Sequence, residues 1–127
     1  KVIKNGVILH GHVLDKMPIE LYNNSKLCVI PLRYGAGVKG KTIEAMYNQM
    51  AIVSTSIGLE GLNGINNCIA AKDSAEEFAR EVIDLYQNDN KILLQVNKNL
   101  NFVRNNFSEE RAKKLFEMVF RRQEDML

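Results

Sequence analysis

The stretch Lys26-Leu27-Cys28-Val29-Ile30-Pro31-Leu32-Arg33-Tyr34-Gly35-Ala36-Gly37-Val38-Lys39-Gly40-Lys41-Thr42-Ile43-Glu44-Ala45-Met46 decides how this chain is read. Leu27 to Ile30 is a short continuous apolar run, the pattern of a strand buried on both faces. Ile43, Met46, Tyr47 and Met50 then recur at i, i+3, i+4 and i+7, which predicts a helix over Lys41 to Gln49 with one face on a sheet. Ala51-Ile52-Val53-Ser54-Thr55 is a second apolar run, so strand, helix and strand follow one another as in a parallel sheet. Ligands of such sheets bind outside the carboxyl ends of the strands. The glycine-rich loop between Leu32 and Lys41 lies there, and its N–H groups converge with those of the first helical turn and with the positive end of the helix dipole. That combination holds phosphate, and Lys39 and Lys41 add full charges.

Outward from this block the same alternation continues. Val7 to His10, Lys26 to Pro31, Ala51 to Thr55 and Asn67 to Ala71 are the strand candidates. Pro18 to Asn23 reads as a short helix. Ser74 with Glu77 forms a capping box ahead of Phe78, Val82 and Leu85, and Leu93, Val96, Leu100 and Val103 mark a further helix. Ser108-Glu109-Glu110 starts the last one, with Ala112, Leu115, Phe116 and Val119 on one side. The fold class is therefore α/β: a Rossmann-like parallel sheet with helices on both faces, one domain over residues 1–107 with a C-terminal helix over 108–127 packed on it. At 127 residues the chain is long enough for one real core.

Composition excludes several functions. The net charge is +2 and the isoelectric point near 8.6, with acidic and basic residues interspersed, so nucleic acid gains no support as a partner. No apolar run approaches the roughly 20 residues of a membrane span, and no signal-peptide pattern opens the chain, which points to a cytoplasmic protein without a transmembrane segment. Cys28 and Cys68 sit in apolar runs, where a free thiol behaves as a small hydrophobe. His10 and His12 share one face of a strand or its exit, but neither has close ligand spacing to a cysteine or carboxylate, so no metal is expected.

Two short patterns match the central loop literally. Gly35, Gly40, Lys41 and Thr42 satisfy the P-loop spacing, and Gly35, Gly37 and Gly40 the dinucleotide fingerprint. A P-loop glycine follows its strand closely, whereas Pro31 to Tyr34 intervene here, and no later apolar strand ends in a magnesium-binding Asp. A dinucleotide fold needs an acid at the end of its second strand about 20 residues on. Glu60 has that spacing but lies well beyond the strand end at Thr55. Pro31 to Gly40, Glu44-Ala45-Met46, and Ala51 through Ile57-Gly58-Leu59-Glu60-Gly61-Leu62 instead closely resemble the donor-binding half of GT-B glycosyltransferases of the group 1, or family 4, type. Val7-Ile8-Leu9-His10-Gly11-His12-Val13 with Leu21-Tyr22, and Asn106-Phe107-Ser108 before a long helix, extend the resemblance over nearly the whole chain.

The resemblance implies a retaining transfer from a nucleotide-diphosphate sugar to a saccharide or other acceptor, as in polysaccharide biosynthesis, with no metal or other cofactor. It implies that Gly35, Ala36, Gly37, Val38, Lys39 and Lys41 meet the diphosphate, that Glu44 accepts hydrogen bonds from the ribose, and that the turn at His12 and Val13 lies against the base. On spacing alone, Glu44 is an ordinary first-turn carboxylate that complements the helix dipole. No residue is singled out as catalytic. The family has a second Glu eight positions before Glu44, contacting the transferred sugar, where this chain has Ala36. Gln49 and Ala51 stand where the family shows Gly and Pro, and Gln49 at a left-handed helix end would cost about 1 kcal/mol. The family's opening βα unit, with its phosphate-binding Arg and Lys, has no counterpart. The chain therefore reads as a C-terminal piece, lacking the N-terminal acceptor-binding domain, that binds nucleotide weakly and catalyses nothing alone. Any peripheral membrane contact falls to the missing part. A non-catalytic nucleotide-binding module and a P-loop phosphotransferase are the alternatives.

Overall fold

The computed structural model describes residues 2–11 and 17–107. His12, Val13 and the helix expected over 108–127 lie outside the described residues. The order is β1 (Val2–Lys4), β2 (Val7–Leu9), α1 (Met17–Asn23), β3 (Leu27–Ile30), α2 (Gly40–Tyr47), β4 (Ala51–Ser54), a 3-10 turn (Ile65–Asn67), α3 (Ala75–Tyr86) and α4 (Asp89–Asn106). The architecture is α/β. Strands β3 and β4 pair in parallel with Leu27 opposite Ala51 and Ile30 opposite Ser54, joined through α2.

Two strand expectations are corrected. Val7 to His10 does not join the parallel sheet; β2 pairs antiparallel with β1, Val2 opposite Leu9 and Lys4 opposite Val7. The signal was Asn5-Gly6, both at positive φ, 53° and 78°. A two-residue loop with that chemistry matches the twist of a hairpin. Asn67 to Ala71 is not a strand either. It holds the end of the 3-10 turn and an irregular stretch, after which the Lys72 N–H donates to the Ser54 carbonyl at 2.9 Å. The reason lies in α4. The Gln95 side-chain amide occupies the edge of β4 in a strand's place: the Ile52 N–H donates to its Oε1 at 2.6 Å, and its Nε2 donates to the Ile52 carbonyl at 3.2 Å. With Ile52 taken, a neighbouring segment reaches the edge only at Ser54.

The helices follow their patterns more closely. Ser74 caps α3 by accepting from the Glu77 N–H, as the capping box requires. Helix α2 buries Thr42, Ile43, Ala45 and Met46. Helix α4 departs from expectation: Leu93 is exposed, whereas Asn99 is fully buried and donates to the Met50 carbonyl at 3.2 Å. The inward face of α4 is set by hydrogen bonds to β4 as well as by apolar spacing, because an open strand edge under a helix leaves polar groups that must be met. The core gathers Ile30, Ile43, Met46, Met50, Ile52, Leu59, Leu62, Ile65, Ile69 and Val103.

Candidate functional site

The carboxyl ends of β3 and β4 carry two loops that are fastened to each other. After β3 the chain runs extended, and the Thr55 hydroxyl donates to the Leu32 carbonyl at 2.6 Å, fixing Pro31 to Tyr34 beside the end of β4. The Thr42 hydroxyl, fully buried in the first turn of α2, donates to the Gly58 carbonyl at 2.7 Å. Gly61, at φ +79°, passes so close to the loop between β3 and α2 that an added Cβ would lie 2.6 Å from Val38 Cγ2. Gly58 is equally constrained, since a Cβ there would lie 2.1 Å from Ser54 Oγ. The Ser56 N–H and hydroxyl both donate to Asp73 Oδ1, at 2.8 and 2.9 Å, which ties the β4 loop to the start of α3.

On this support Gly35 and Gly37 turn the loop through positive φ, 124° and 82°, conformations closed to most residues. Gly40 is instead the first residue of α2, and Lys39 precedes it as an extended cap with no side-chain cap bond. The Thr42 N–H closes on the Lys39 carbonyl at 3.1 Å, and no side chain caps the preceding N–H groups of Gly40 and Lys41. A cavity of about 590 Å³ opens in front of them, walled by Tyr22, Cys28 and β3 on one side and by Leu32, Tyr34, Val38, Lys39, Gly40 and Lys41 on the other. Tyr34 is 87% exposed. The extended segment alternates sides, so Arg33 faces a second groove of about 220 Å³ with Lys72, Asp73 and the start of α3.

Of the residues expected from sequence, Val38, Lys39 and Lys41 line the cavity with Gly40, and Gly35, Ala36 and Gly37 form the exposed loop beside it. Lys39 folds back across the loop. Its Nζ donates to the Gly37 carbonyl at 2.6 Å and lies 3.8 Å from Glu60 Oε2. Glu44 is not in the first turn: with α2 beginning at Gly40 it falls in the second, and the first turn holds no acid. Dipole complementation therefore explains it less well, because that effect fades within one turn. Its charge reaches the cavity wall. Burial first and Glu44 second push the Tyr22 hydroxyl up to about 12, and the same two causes raise the Cys28 thiol, with Lys41 opposing. Sequence reading missed Tyr22 and Cys28 as wall residues and Glu60 as a partner of the loop. Their proximity depends on how β3, α1 and the β4 loop meet, and no spacing encodes that.

Thr42 bears on the P-loop alternative. In that reading its hydroxyl would reach a magnesium ion, whereas here it is buried and committed to Gly58. Among the described residues no group of three or more His, Cys, Asp or Glu is placed to hold a metal, and no helix is long and apolar enough to cross a membrane.

The family model of glycosyl transferases group 1 matches residues 1–88. The chain is 33% identical over 120 residues to an uncharacterized 44.6 kDa protein in the cps region of Klebsiella pneumoniae, covering 92% of this chain and 30% of that protein. It is 25% identical over 126 residues to an uncharacterized glycosyltransferase of Methanocaldococcus jannaschii, covering 94% of this chain and 31% of that protein. The chain thus spans about a third of the length of these relatives. No solved structure matches it.

Proposed function

The chain belongs to the group 1 glycosyltransferases, and from that premise we propose that it supplies the donor side of a retaining GT-B enzyme, holding a nucleotide-diphosphate sugar for transfer to an acceptor bound by the rest of the protein. The observation that carries the reading is the uncapped start of α2, with Lys39, Gly40 and Lys41 on the wall of a cavity large enough for a nucleotide. Glu44 stands one turn further in.

The chemical demand is leaving-group stabilisation. As the bond between the sugar and the diphosphate breaks, negative charge builds on the β-phosphate. Preorganised N–H donors and cations at that spot stabilise it more in the transition state than in the ground state. The Gly35 to Lys41 loop supplies donors and charge without a metal. Glu44 offers two oxygens to the vicinal ribose hydroxyls, an arrangement suited to a carboxylate. A non-catalytic nucleotide-binding role is favoured by one residue, Ala36, which brings no carboxylate to the transferred sugar. It predicts binding without turnover in the full-length protein.

The test is a four-way comparison. Glu44→Gln keeps the size but turns charge-assisted bonds into neutral ones, so UDP or GDP, titrated without magnesium, should bind about tenfold more weakly. The corresponding 2′,3′-dideoxy nucleotide has no hydroxyls to donate and should bind both proteins alike. Equal losses for both ligands would return Glu44 to a structural role and remove the donor-site reading with it.

A further inference from the structure

Lys39 and Glu60 come from different loops. Lys39 belongs to the turn between β3 and α2 and Glu60 to the turn after β4. The structure sets the Lys39 ammonium between the Gly37 carbonyl, 2.6 Å away, and Glu60 Oε2 at 3.8 Å. The lysine side chain is only 17% exposed, against 45% for Glu60. The aliphatic stem passes over Gly35, its Cε 3.4 Å from where a Cβ would sit. The backbone bearing Glu60 is itself held on both sides, by Gly58 accepting from Thr42 in the first turn of α2 and by Gly61 against Val38 in the loop. The carboxylate is thus delivered to the loop by a rigid support.

Resting on the donor-site reading above, we infer that Glu60 is a positioning residue for the diphosphate: by holding Lys39 across the loop it fixes the cation and the turn from Gly35 to Lys39 in the shape that receives phosphate. A freely mobile lysine would cover many orientations and leave the Gly37 carbonyl without its cation. Ordering that side chain in advance removes an entropy cost from ligand binding.

The sign of the effect makes this testable. A carboxylate beside an anion site repels the anion, so by charge alone Glu60→Gln should tighten diphosphate binding. Positioning predicts the reverse: in the full-length protein Glu60→Gln should weaken UDP or GDP about five- to tenfold, with uridine or guanosine unchanged. In a Lys39→Met background the same substitution should cost nothing further, since the group it positions is gone. Tighter or unchanged diphosphate binding by Glu60→Gln, or the same loss with and without Lys39, overturns the inference. Because Glu60 is half exposed, Glu60→Gln should keep its thermal midpoint. A fall equal for nucleoside and diphosphate would mark damage to the fold and also count against the proposal. If the unsubstituted protein binds neither diphosphate, the donor-site reading fails first, and the two failures are told apart by that measurement.

Discussion

Gln49→Gly should make this protein more stable. Gln49 follows the last turn of α2 at φ 58°. Its N–H donates to the Met46 carbonyl at 3.1 Å, and the Met50 N–H donates to the Ala45 carbonyl at 3.1 Å. These are the two bonds of a Schellman ending, whose left-handed residue is normally glycine. A residue with a Cβ pays about 1–2 kcal/mol there, whereas glycine pays none but loses about 0.5–1 kcal/mol more backbone entropy on folding. The Gln49 side chain is exposed, so little packing is lost, and the difference leaves a gain of about 0.5–1 kcal/mol. Unfolding entropy of about 2.1 cal/mol/K per residue over 127 residues gives about 0.27 kcal/mol/K, so the melting midpoint should rise by about 2–4 °C. Scanning calorimetry reads this directly, with Gln49→Ala as the control that keeps a Cβ and gains nothing. Equal midpoints for the Gly and Ala variants, or a fall for Gly, would show that the left-handed turn at Gln49 stores no strain.

Thr42→Val removes a buried donor and orphans the Gly58 carbonyl, so it should cost about 1–3 kcal/mol in denaturant unfolding while nucleotide binding remains independent of magnesium; a magnesium-dependent loss of ATP affinity would revive the P-loop alternative. Gly61→Ala forces a Cβ to 2.6 Å from Val38 Cγ2 at φ +79° and should destabilise by about 2 kcal/mol and weaken diphosphate binding too. Gly64→Ala, at φ +85° with its nearest neighbour 3.9 Å away, should pay only the conformational cost of about 1 kcal/mol and leave binding untouched; equal effects on binding would deny the contact between the two loops a role. In a near-ultraviolet titration, Tyr22 should give a late step near pH 12 rather than 10.0. Because its folded value is raised, its contribution to stability is complete below pH 10.0 and is lost as pH rises through about 12. Tyr22→Phe should delete the late step and Glu44→Gln should move it down.

The central block was legible because its information is local. The apolar runs of β3 and β4, the spacing of Ile43, Met46 and Tyr47, and the Ser74 cap each state their structure within a few residues. The hairpin escapes the sequence reading although Asn5-Gly6 signals it, because Val7 to His10 reads as a buried parallel strand, and an apolar run of three or four residues does not declare its partner. What lay beyond the sequence was pairing at a distance. Gln95 and Asn99 look like surface residues in a polar stretch of α4, yet they meet the backbone of Ile52 and Met50, 43 and 49 positions away. That substitution of an amide for a strand is why Asn67 to Ala71 reads as β and folds otherwise. The boundary of α2 mattered in the same way. Starting it at Gly40 rather than Lys41 moves Glu44 out of the first turn and changes which physical explanation of that carboxylate is stronger.

The two glycine-bearing loops also explain why residues 31–62 read as one unit although they span two strands and a helix. An anion loop made of glycine is a poor binder by itself, because it is ordered only at the full entropic cost of its backbone. On the donor-site reading proposed above, that cost would be met in folding rather than at binding, since Thr42, Val38 and Lys39 each lean on one of Gly58, Gly61 and Glu60. Gly58 and Gly61 are needed for approach, and Glu60 supplies the one charge. On that reading the β4 loop is the mould of the β3 loop, and substitutions in it should register first in diphosphate affinity, although none of its residues needs to touch the ligand.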